Sequence, residues 1–232
     1  MLKFISSFAT LALLIGPFYA KATTINFATA LSAGNKAQSL TVGGVTASAW
    51  VVSKTDGTWS SQGVILNNRN EGSTELGLGV CFSSNCPSTG NGNINEIDNN
   101  GLTFDVIQLD FGVSTFVKSI GLSSLDSGLK DGFAIFGSNT PQTLSSLTAI
   151  AQGTNSTVGP SVTPIININQ SDRYFFVTSK NRGVNDTGSD FLLESVTTAP
   201  EPYTSAMLGL GLLAIGGALR LKSSQQRARQ SK

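Results

Sequence analysis

The sequence predicts an all-β protein, an antiparallel β-sandwich of jelly-roll type, and two observations support this class. First, short apolar runs recur along the middle of the chain and are separated by segments rich in Gly, Asn and Ser. Second, apolar and polar residues alternate within several runs, so that Ile107, Leu109 and Phe111 lie on one face of a strand. No segment before Pro200 carries apolar residues at helical spacing, and a series of short strands is typical of a sandwich.

The predicted strands share apolar, β-branched or aromatic residues and are bounded by turn residues. They cover residues 24–28, 40–54, 61–66, 75–82, 104–111, 116–125, 133–137, 146–152, 163–169, 174–180 and 190–197. Turn residues that tolerate positive φ lie between them, for example at Asn100 and Gly101. The spacing predicts one β-domain over residues 23–199.

Charge and histidine content exclude several classes of function. Residues 23–199 contain 8 basic and 13 acidic side chains, a net charge of 8 − 13 = −5, so no basic surface for nucleic acid is expected. The chain contains 0 His residues. A Ser-His-Asp or Cys-His catalytic site and a His-ligated zinc site are therefore excluded.

The first 22 residues have the three parts of a secretory signal peptide. Lys3 supplies the positive start, an apolar run follows to Phe18, and Ala20 and Ala22 form a small-x-small cleavage site. The pattern predicts export through the Sec translocon and a mature chain that starts at Thr23.

The C-terminal segment predicts a single membrane-spanning helix at about residues 203–221. Tyr203 to Leu219 contains no charged residue and shows no polar face at the helical period. Basic residues follow it, and the positive-inside rule keeps them in the cytoplasm and places the β-domain outside. Pro200, Glu201 and Pro202 precede the helix as an extended, rigid segment.

Pro-Glu-Pro, an apolar Gly-rich helix and a basic tail, in this order, resemble the PEP-CTERM sorting signal over Pro200 to about Arg229. The resemblance implies that an exosortase processes the protein. It also implies that the protein is anchored in the inner membrane in transit and then lies at the cell surface or in the extracellular matrix of a Gram-negative bacterium. Such systems accompany exopolysaccharide and biofilm. Family tails often carry a compact arginine run, whereas Arg220, Lys222 and Arg227 are spread out here. Residues 76–196 also loosely resemble the ectodomains of these proteins, which brings no established activity.

Cys81 and Cys86 lie five positions apart in a chain that is predicted to be exported. A local disulfide is the expected state in an oxidising compartment, and its main effect is to shape the loop that it closes. A redox-active pair is the alternative, but the spacing is longer than Cys-x-x-Cys and no βαβ pattern surrounds it.

The densest polar segment, residues 91–101, offers oxygen ligands of the kind that calcium takes, at Asn93, Asn95, Glu96 and Asp98. Its spacing differs from that of an EF-hand loop. A surface turn in which Glu96 and Asp98 bond to nearby backbone amides is the alternative. The same two carboxylates are also the pair that a glycoside hydrolase would need.

Trp59 follows Asp56 and Gly57 and is expected to be exposed. It is the candidate carbohydrate contact, because an aromatic ring stacks on the apolar face of a sugar, and a plain surface residue is the alternative. Trp50 lies in an apolar run and is expected in the core. The sequence thus favours a non-enzymatic structural or adhesive protein of the exopolysaccharide matrix. A carbohydrate-binding module, either with or without a need for calcium, is the alternative, and a secreted hydrolase is less favoured.

Overall fold

The computed structural model describes residues 22–30, 36–71, 75–82, 86, 96–125, 132–144, 146–154, 164–180 and 191–199, together with residues 209, 211, 215 and 216. Residues 1–21, the Pro-Glu-Pro motif and most of the predicted membrane helix lie outside the described residues. Within the described residues, no helix has the length and apolar character needed to span a membrane.

The described part of the chain forms thirteen strands. They are β1 (Thr23–Asn26), β2 (Lys36–Ala37), β3 (Ser39–Val42), β4 (Val45–Ser53), β5 (Trp59–Ser60), β6 (Val64–Glu71), β7 (Glu75–Phe82), β8 (Asn99–Asn100), β9 (Thr103–Ser123), β10 (Gly132–Ser138), β11 (Ala151–Thr154), β12 (Ile165–Ser179) and β13 (Leu192–Thr198). Every pairing between them is antiparallel. The prediction of an all-β, antiparallel protein is confirmed.

The strands belong to one large open sheet organised around β9. The path across the sheet runs β11-β10-β12-β9-β13-β7-β6-β2. On one side of β9, strand β12 pairs with it over most of its length. On the other side, β4 pairs with the first half of β9 and β13 pairs with its second half. The sheet therefore divides into two halves that share β9 and β12.

Each of the two long strands replaces two of the predicted strands, and the register of their pairing shifts at bulges. Tyr174 of β12 pairs with Asp110 of β9, whereas Asp172 pairs with Thr115, so residues 111–114 bulge opposite Arg173. Gly112 has φ +75°, a conformation that favours glycine. The prediction of separate strands at 104–111 and 116–125 was wrong in this respect, because hydrogen bonding to β12 continues on both sides of the bulge.

The predicted strand over residues 40–54 is interrupted by a tight turn. Val42 of β3 pairs with Val45 of β4, which leaves Gly43 and Gly44 as a two-residue hairpin loop. Both glycines have positive φ, at +56° and +84°. A type I′ turn requires this at both central positions, so the chain reverses here and does not continue as one strand.

Apolar side chains lie on both faces of one half of the sheet, the half in which β4 pairs with β9. Alternate residues such as Ala49, Ile107 and Phe175 enter the main core, which also receives side chains from β6, β7 and β13. The intervening residues, including Val106 and Phe176, enter a smaller second core on the opposite face. Trp50, Trp59, Leu147 and Ala149 pack against this second core and cover it. Near-continuous apolar runs are expected of strands that are covered on both faces.

Candidate functional site

The described residues include only part of the predicted sites. Cys81, Cys86, Trp59, Glu96 and Asp98 are described. The remaining predicted site residues, which are Asn93, Asn95, Pro200, Glu201 and Pro202, lie outside the described residues. The calcium ligand set and the sorting motif therefore stay predictions.

Cys81 and Cys86 form the predicted disulfide, with their Cα atoms 5.5 Å apart. Both residues are buried. The Lys36 ammonium donates a hydrogen bond to the carbonyl oxygen of Cys86 and so adds a second link at this point. The disulfide joins residue 86 to the end of β7. The loop that it closes, residues 83–85, lies outside the described residues, so the loop-shaping role stays a prediction.

Trp59 lies on β5, where it pairs with Val52 of β4. Its ring meets the ring of Trp50 at a centroid distance of 6.0 Å and the ring of Phe176 at 5.7 Å, both edge to face. These contacts fix the plane of the Trp59 ring. The residue is half-buried, because the rest of the ring faces a groove.

The groove beside Trp59, here called the Trp59 groove, has a volume of about 320 Å³. Its floor is apolar and includes Val52, Phe104 and Leu144. Its rim is the turn of residues 53–57, which joins β4 to β5. A concave apolar surface with a few polar groups at its edge is the usual form of a small-ligand site, and this volume is near the lower end of the range.

The turn at the rim of the Trp59 groove is held by hydrogen bonds within it. The Gly57 amide donates to the carbonyl oxygen of Ser53 at 2.9 Å, and the Ser53 amide donates to the carbonyl oxygen of Thr58 at 3.0 Å. Asp56 Oδ1 accepts from the Thr58 amide at 3.0 Å. The Ser53 hydroxyl and the Thr58 amide lower the pKa of Asp56, so this exposed carboxyl is ionised at neutral pH.

Asp98 and Asp105 form a close acidic pair at the place where β8 pairs with β9. The Asp98 amide donates to Asp105 Oδ2 at 3.3 Å, and the Asp105 amide donates to the carbonyl oxygen of Asp98 at 2.9 Å. Burial raises the pKa of Asp98 to about 6, and the negative charge of Glu96 adds to this effect. The hydrogen bond to Asp105 and the positive charge of Lys54, which lines the Trp59 groove, act in the opposite direction.

Glu96 belongs to a buried polar network and not to an exposed turn. Its Oε1 accepts from Arg69 Nη1 at 2.9 Å and from the Ser124 hydroxyl at 2.6 Å. Arg69 Nη2 also contacts Glu75 Oε2 at 2.6 Å. Among the described residues, no group of three or more His, Cys, Asp or Glu side chains is placed to hold a metal ion.

The polar half of the Trp59 groove was not predicted from the sequence. Trp59 was predicted as a site residue, but Lys54 and Asp56 were not. Asp98 was grouped with Glu96 and not with Asp105. A signal for Asp56 was present, because an Asp-Gly turn three residues before the tryptophan places a carboxylate beside the ring. The Asp98–Asp105 contact depends on the short pairing of β8 with β9, and no local pattern predicts it.

Comparison of the chain with protein-family models, with curated proteins and with solved structures finds no match.

Proposed function

We propose that the chain is an exported PEP-CTERM protein that acts as a non-enzymatic structural or adhesive component of an exopolysaccharide matrix. In this proposal residues 1–22 are a signal peptide, residues 23–199 form the exported domain, and residues 200–232 are the sorting signal. The domain passes through the Sec translocon, is held at the inner membrane by the helix at about residues 203–221, and is released by an exosortase.

The observation that carries the proposal is the pairing of the two ends of the domain. Thr23, the predicted mature N-terminus, pairs with Thr198 at the end of β13. The Thr24 and Thr197 hydroxyls lie 3.0 Å apart, and the Ala199 amide donates to the carbonyl oxygen of Phe116 at 3.0 Å. Hydrogen bonding thus extends from the predicted signal-peptide cleavage site to the residue before Pro200.

The disulfide gives independent support for export. Disulfides persist in oxidising compartments and are rare in the bacterial cytoplasm. A pair formed by Cys81 and Cys86 is in keeping with a domain that folds after translocation.

The arrangement of the sheet supports a sandwich of jelly-roll type as the finer description of this domain. β9 and β12 run through both halves of the sheet, and residues 111–114 of β9 form a bulge between the halves, a feature that bends a strand. The main core contains residues from both halves, for example Ile107 and Leu78. Two sheet halves that enclose a common core and are connected by shared bent strands would form such a sandwich.

A variant of the sorting motif tests the export proposal. In native cells, replacing Pro200, Glu201 and Pro202 together by Ala should leave the protein in the inner-membrane fraction, whereas the unchanged chain is released to the surface or the medium. Ser223→Ala together with Ser224→Ala, in the same tail, is the matched control and should behave like the unchanged chain. Release of the Pro-Glu-Pro variant at the normal level would refute processing at this motif.

A carbohydrate-binding module is the second candidate function, and the Trp59 groove is the observation that favours it. A half-exposed ring above an apolar floor, with a carboxylate at the rim, is suited to a sugar.

Affinity electrophoresis in gels that contain polysaccharide from the native matrix should show retardation that Trp59→Ala abolishes. Phe82→Ala removes an exposed aromatic ring that is not among the residues lining the groove, and it should have no effect. Retardation that survives Trp59→Ala would refute binding at the groove. Loss of retardation with a chelator would support the calcium requirement, and unchanged retardation would refute it.

A further inference from the structure

The last strand of the domain, β13, runs toward the bulge that residues 111–114 form in β9. β13 is antiparallel to β9, and their pairing ends where Thr198 lies opposite Val117. The Ala199 amide then donates to the carbonyl oxygen of Phe116, so the chain leaves the sheet directly beside the bulge. On this side of β9 the described strands leave the bulge unpaired, because β4 pairs only with the part of β9 that precedes it.

The bulge carries an exposed apolar side chain. Gly112, Val113 and Ser114 are all exposed, and Val113 is 68% exposed. The described part of the domain also exposes the large apolar residues Phe82, Leu102 and Ile165. A single exposed apolar residue is ordinary on a protein surface. Val113 differs from the others in its position, because it lies just before Phe116, to which the end of the domain is bonded.

The predicted membrane helix, at about residues 203–221, starts close to this point. Residues 200–202 separate Ala199 from Tyr203, so even a fully extended chain spans at most about 14 Å between these two Cα atoms. The described residues of the predicted helix are helical and exposed, and they are residues 209, 211, 215 and 216. The head-group region extends about 5–8 Å beyond the hydrocarbon core on each side of a bilayer. The bulge therefore lies within reach of the head groups of the bilayer that this helix would cross.

The described charges around the bulge do not oppose contact with lipid head groups. Arg173 Nε lies 3.0 Å from Asp110 Oδ1, so these two charges compensate each other at the bulge. Asp172 is buried, and its carboxylate accepts a hydrogen bond from Gln170 at 2.7 Å. Lys118, on the other side of Phe116 along β9, is exposed. An exposed ammonium beside the exit of the chain favours contact with the phosphates of anionic lipid.

A weak contact is sufficient for a domain that is already tethered. A lone valine would not hold a free protein on a membrane, because even a whole myristoyl chain gives only marginal, reversible binding. With the helix in the same bilayer, the contact competes only with other orientations of the domain, at a high effective concentration of lipid. Removal of the Val113 side chain from water then favours this orientation by about tenfold.

We propose that the bulge of β9, through Val113, is a membrane-contact surface that lies in the head-group region of the bilayer while the C-terminal helix anchors the chain. This inference rests on the anchoring step of the function proposed above, and it names the surface through which the domain meets the lipid. The partner is the surface of a bilayer that contains anionic phospholipid. The contact ends when the chain is released from its helix, because one valine alone does not hold the free domain.

Fluorescence quenching on the full chain tests the inference. The chain is reconstituted into vesicles of phosphatidylethanolamine and phosphatidylglycerol, with or without lipid that carries a nitroxide quencher on its head group. Ser114→Cys carries a fluorescent label on its thiol, while the native disulfide stays oxidised. We expect the quencher to lower the emission of this label by about half or more, because the bulge lies at head-group depth.

A label at Leu102→Cys is the matched control. Leu102 is 63% exposed, much like Val113, but it precedes the first residue of β9 and lies about 27 Å along the strand from Asp110. We expect the quencher to lower the emission of this label by less than about a tenth, because it lies beyond the head-group region.

Val113→Asp in the chain labelled at residue 114 is the decisive variant, because a carboxylate replaces the apolar side chain and is repelled by anionic lipid. We expect the quenching to fall at least about threefold. Leu102→Asp in the same labelled chain should leave the quenching unchanged. Val113 is exposed, so its replacement should not unfold the domain, and a melting curve verifies this.

Flotation of the vesicles separates the two proposals. A chain that does not float with the vesicles would overturn the anchoring helix and the membrane-contact surface together. A chain that floats, but whose label at residue 114 is unquenched or is quenched as little as the label at residue 102, would overturn the contact surface alone. Quenching that survives Val113→Asp would show that the label itself enters the head-group region, and it would also overturn the contact surface.

Discussion

The carboxyl group of Asp98 shows how burial and charge compete at a single residue. Burial has the largest effect on its pKa, and the nearby charge of Glu96 acts in the same direction. The hydrogen bond to Asp105 and the charge of Lys54 oppose them but do not cancel them, so the pKa rises to about 6. In the unfolded chain the same carboxyl titrates near its ordinary value of 3.8.

The sign of the resulting pH dependence follows from proton binding. Between about pH 4 and 6 the folded state holds a proton on Asp98 that the unfolded state has released, so this residue lowers the free energy of unfolding as the pH rises. The loss is nearly complete at pH 7, above the folded-state pKa, and amounts to about 3 kcal/mol at most, because the pKa rises from 3.8 to about 6. Asp98→Asn should therefore stabilise the protein at pH 7.5 and leave its stability nearly unchanged at pH 4. Urea unfolding at both pH values measures the difference, and a destabilised variant at pH 7.5 would contradict this account.

Arg69 is predicted to matter far more to stability than a second arginine that makes similar contacts at the surface. Its side chain is 10% exposed and contacts both Glu75 and Glu96, whereas the side chain of Arg173, paired with Asp110, is 42% exposed. Arg69→Met would remove the positive charge that pairs with the buried Glu96 carboxylate, at a cost of about 3–5 kcal/mol, although the hydrogen bond from Ser124 remains. Arg173→Met, the matched control, should cost about 1 kcal/mol or less. Equal losses in urea unfolding would show that burial does not decide the contribution of these pairs.

The burial of Glu96 could not be read from the sequence. An acidic residue in a segment rich in Asn and Gly resembles an exposed turn. The ion pair with Arg69 and the hydrogen bond from Ser124 join residues 27 and 28 positions apart in the chain. Such contacts depend on how the strands come together, and no local pattern carries them. Trp59, by contrast, was predictable as a partly exposed ring because turn residues directly precede it.

At the scale of single elements, the pairing of β7 with β13 depends on a glycine. Gly77 has φ +151°, and a Cβ atom at this position would lie 2.4 Å from the carbonyl oxygen of Leu193. Gly77→Ala therefore adds a backbone clash to the strain of an unfavourable φ, and we expect a loss of about 3 kcal/mol or more. Gly44→Ala also has positive φ, at +84°, but meets open space and should cost only about 1 kcal/mol. Equal melting temperatures for the two variants would contradict the close approach of β7 and β13.

The strands themselves were largely predictable, and their boundaries were less so. The strand at 75–82 coincides with β7, because its apolar run is bounded by turn residues at both ends. The long strands β9 and β12 were each predicted as two pieces, since Gly112 and the polar residues near Asn169 resemble turns. The hydrogen bonds between β9 and β12 continue on both sides of these positions, which form bulges. Pairing between distant parts of the chain therefore outweighs the local preference for a turn.

At the scale of the whole molecule, the second core explains how a groove can form on the face of a sheet. Apolar residues such as Val106 and Phe176 point away from the main core and must be covered. The β4–β5 hairpin and the segment around Leu144 cover them incompletely, and the remaining space is the Trp59 groove. The same alternation that builds the sheet therefore supplies the apolar floor of the proposed binding site.

The two ends of the proposed mature domain lie side by side. Thr23 pairs with Thr198, so the predicted mature N-terminus lies next to the end of the last strand, β13. Under the export proposal, the signal peptide and the sorting signal would therefore join the domain at neighbouring positions.

Mass spectrometry of the intact protein isolated from fractionated native cells is the sharpest test of the proposed processing, because it reads both termini at once. We expect a chain that starts at Thr23 and ends near Pro200 to Pro202. A chain that begins at Met1, or one that retains the tail to Lys232 at the cell surface, would contradict processing as a PEP-CTERM protein.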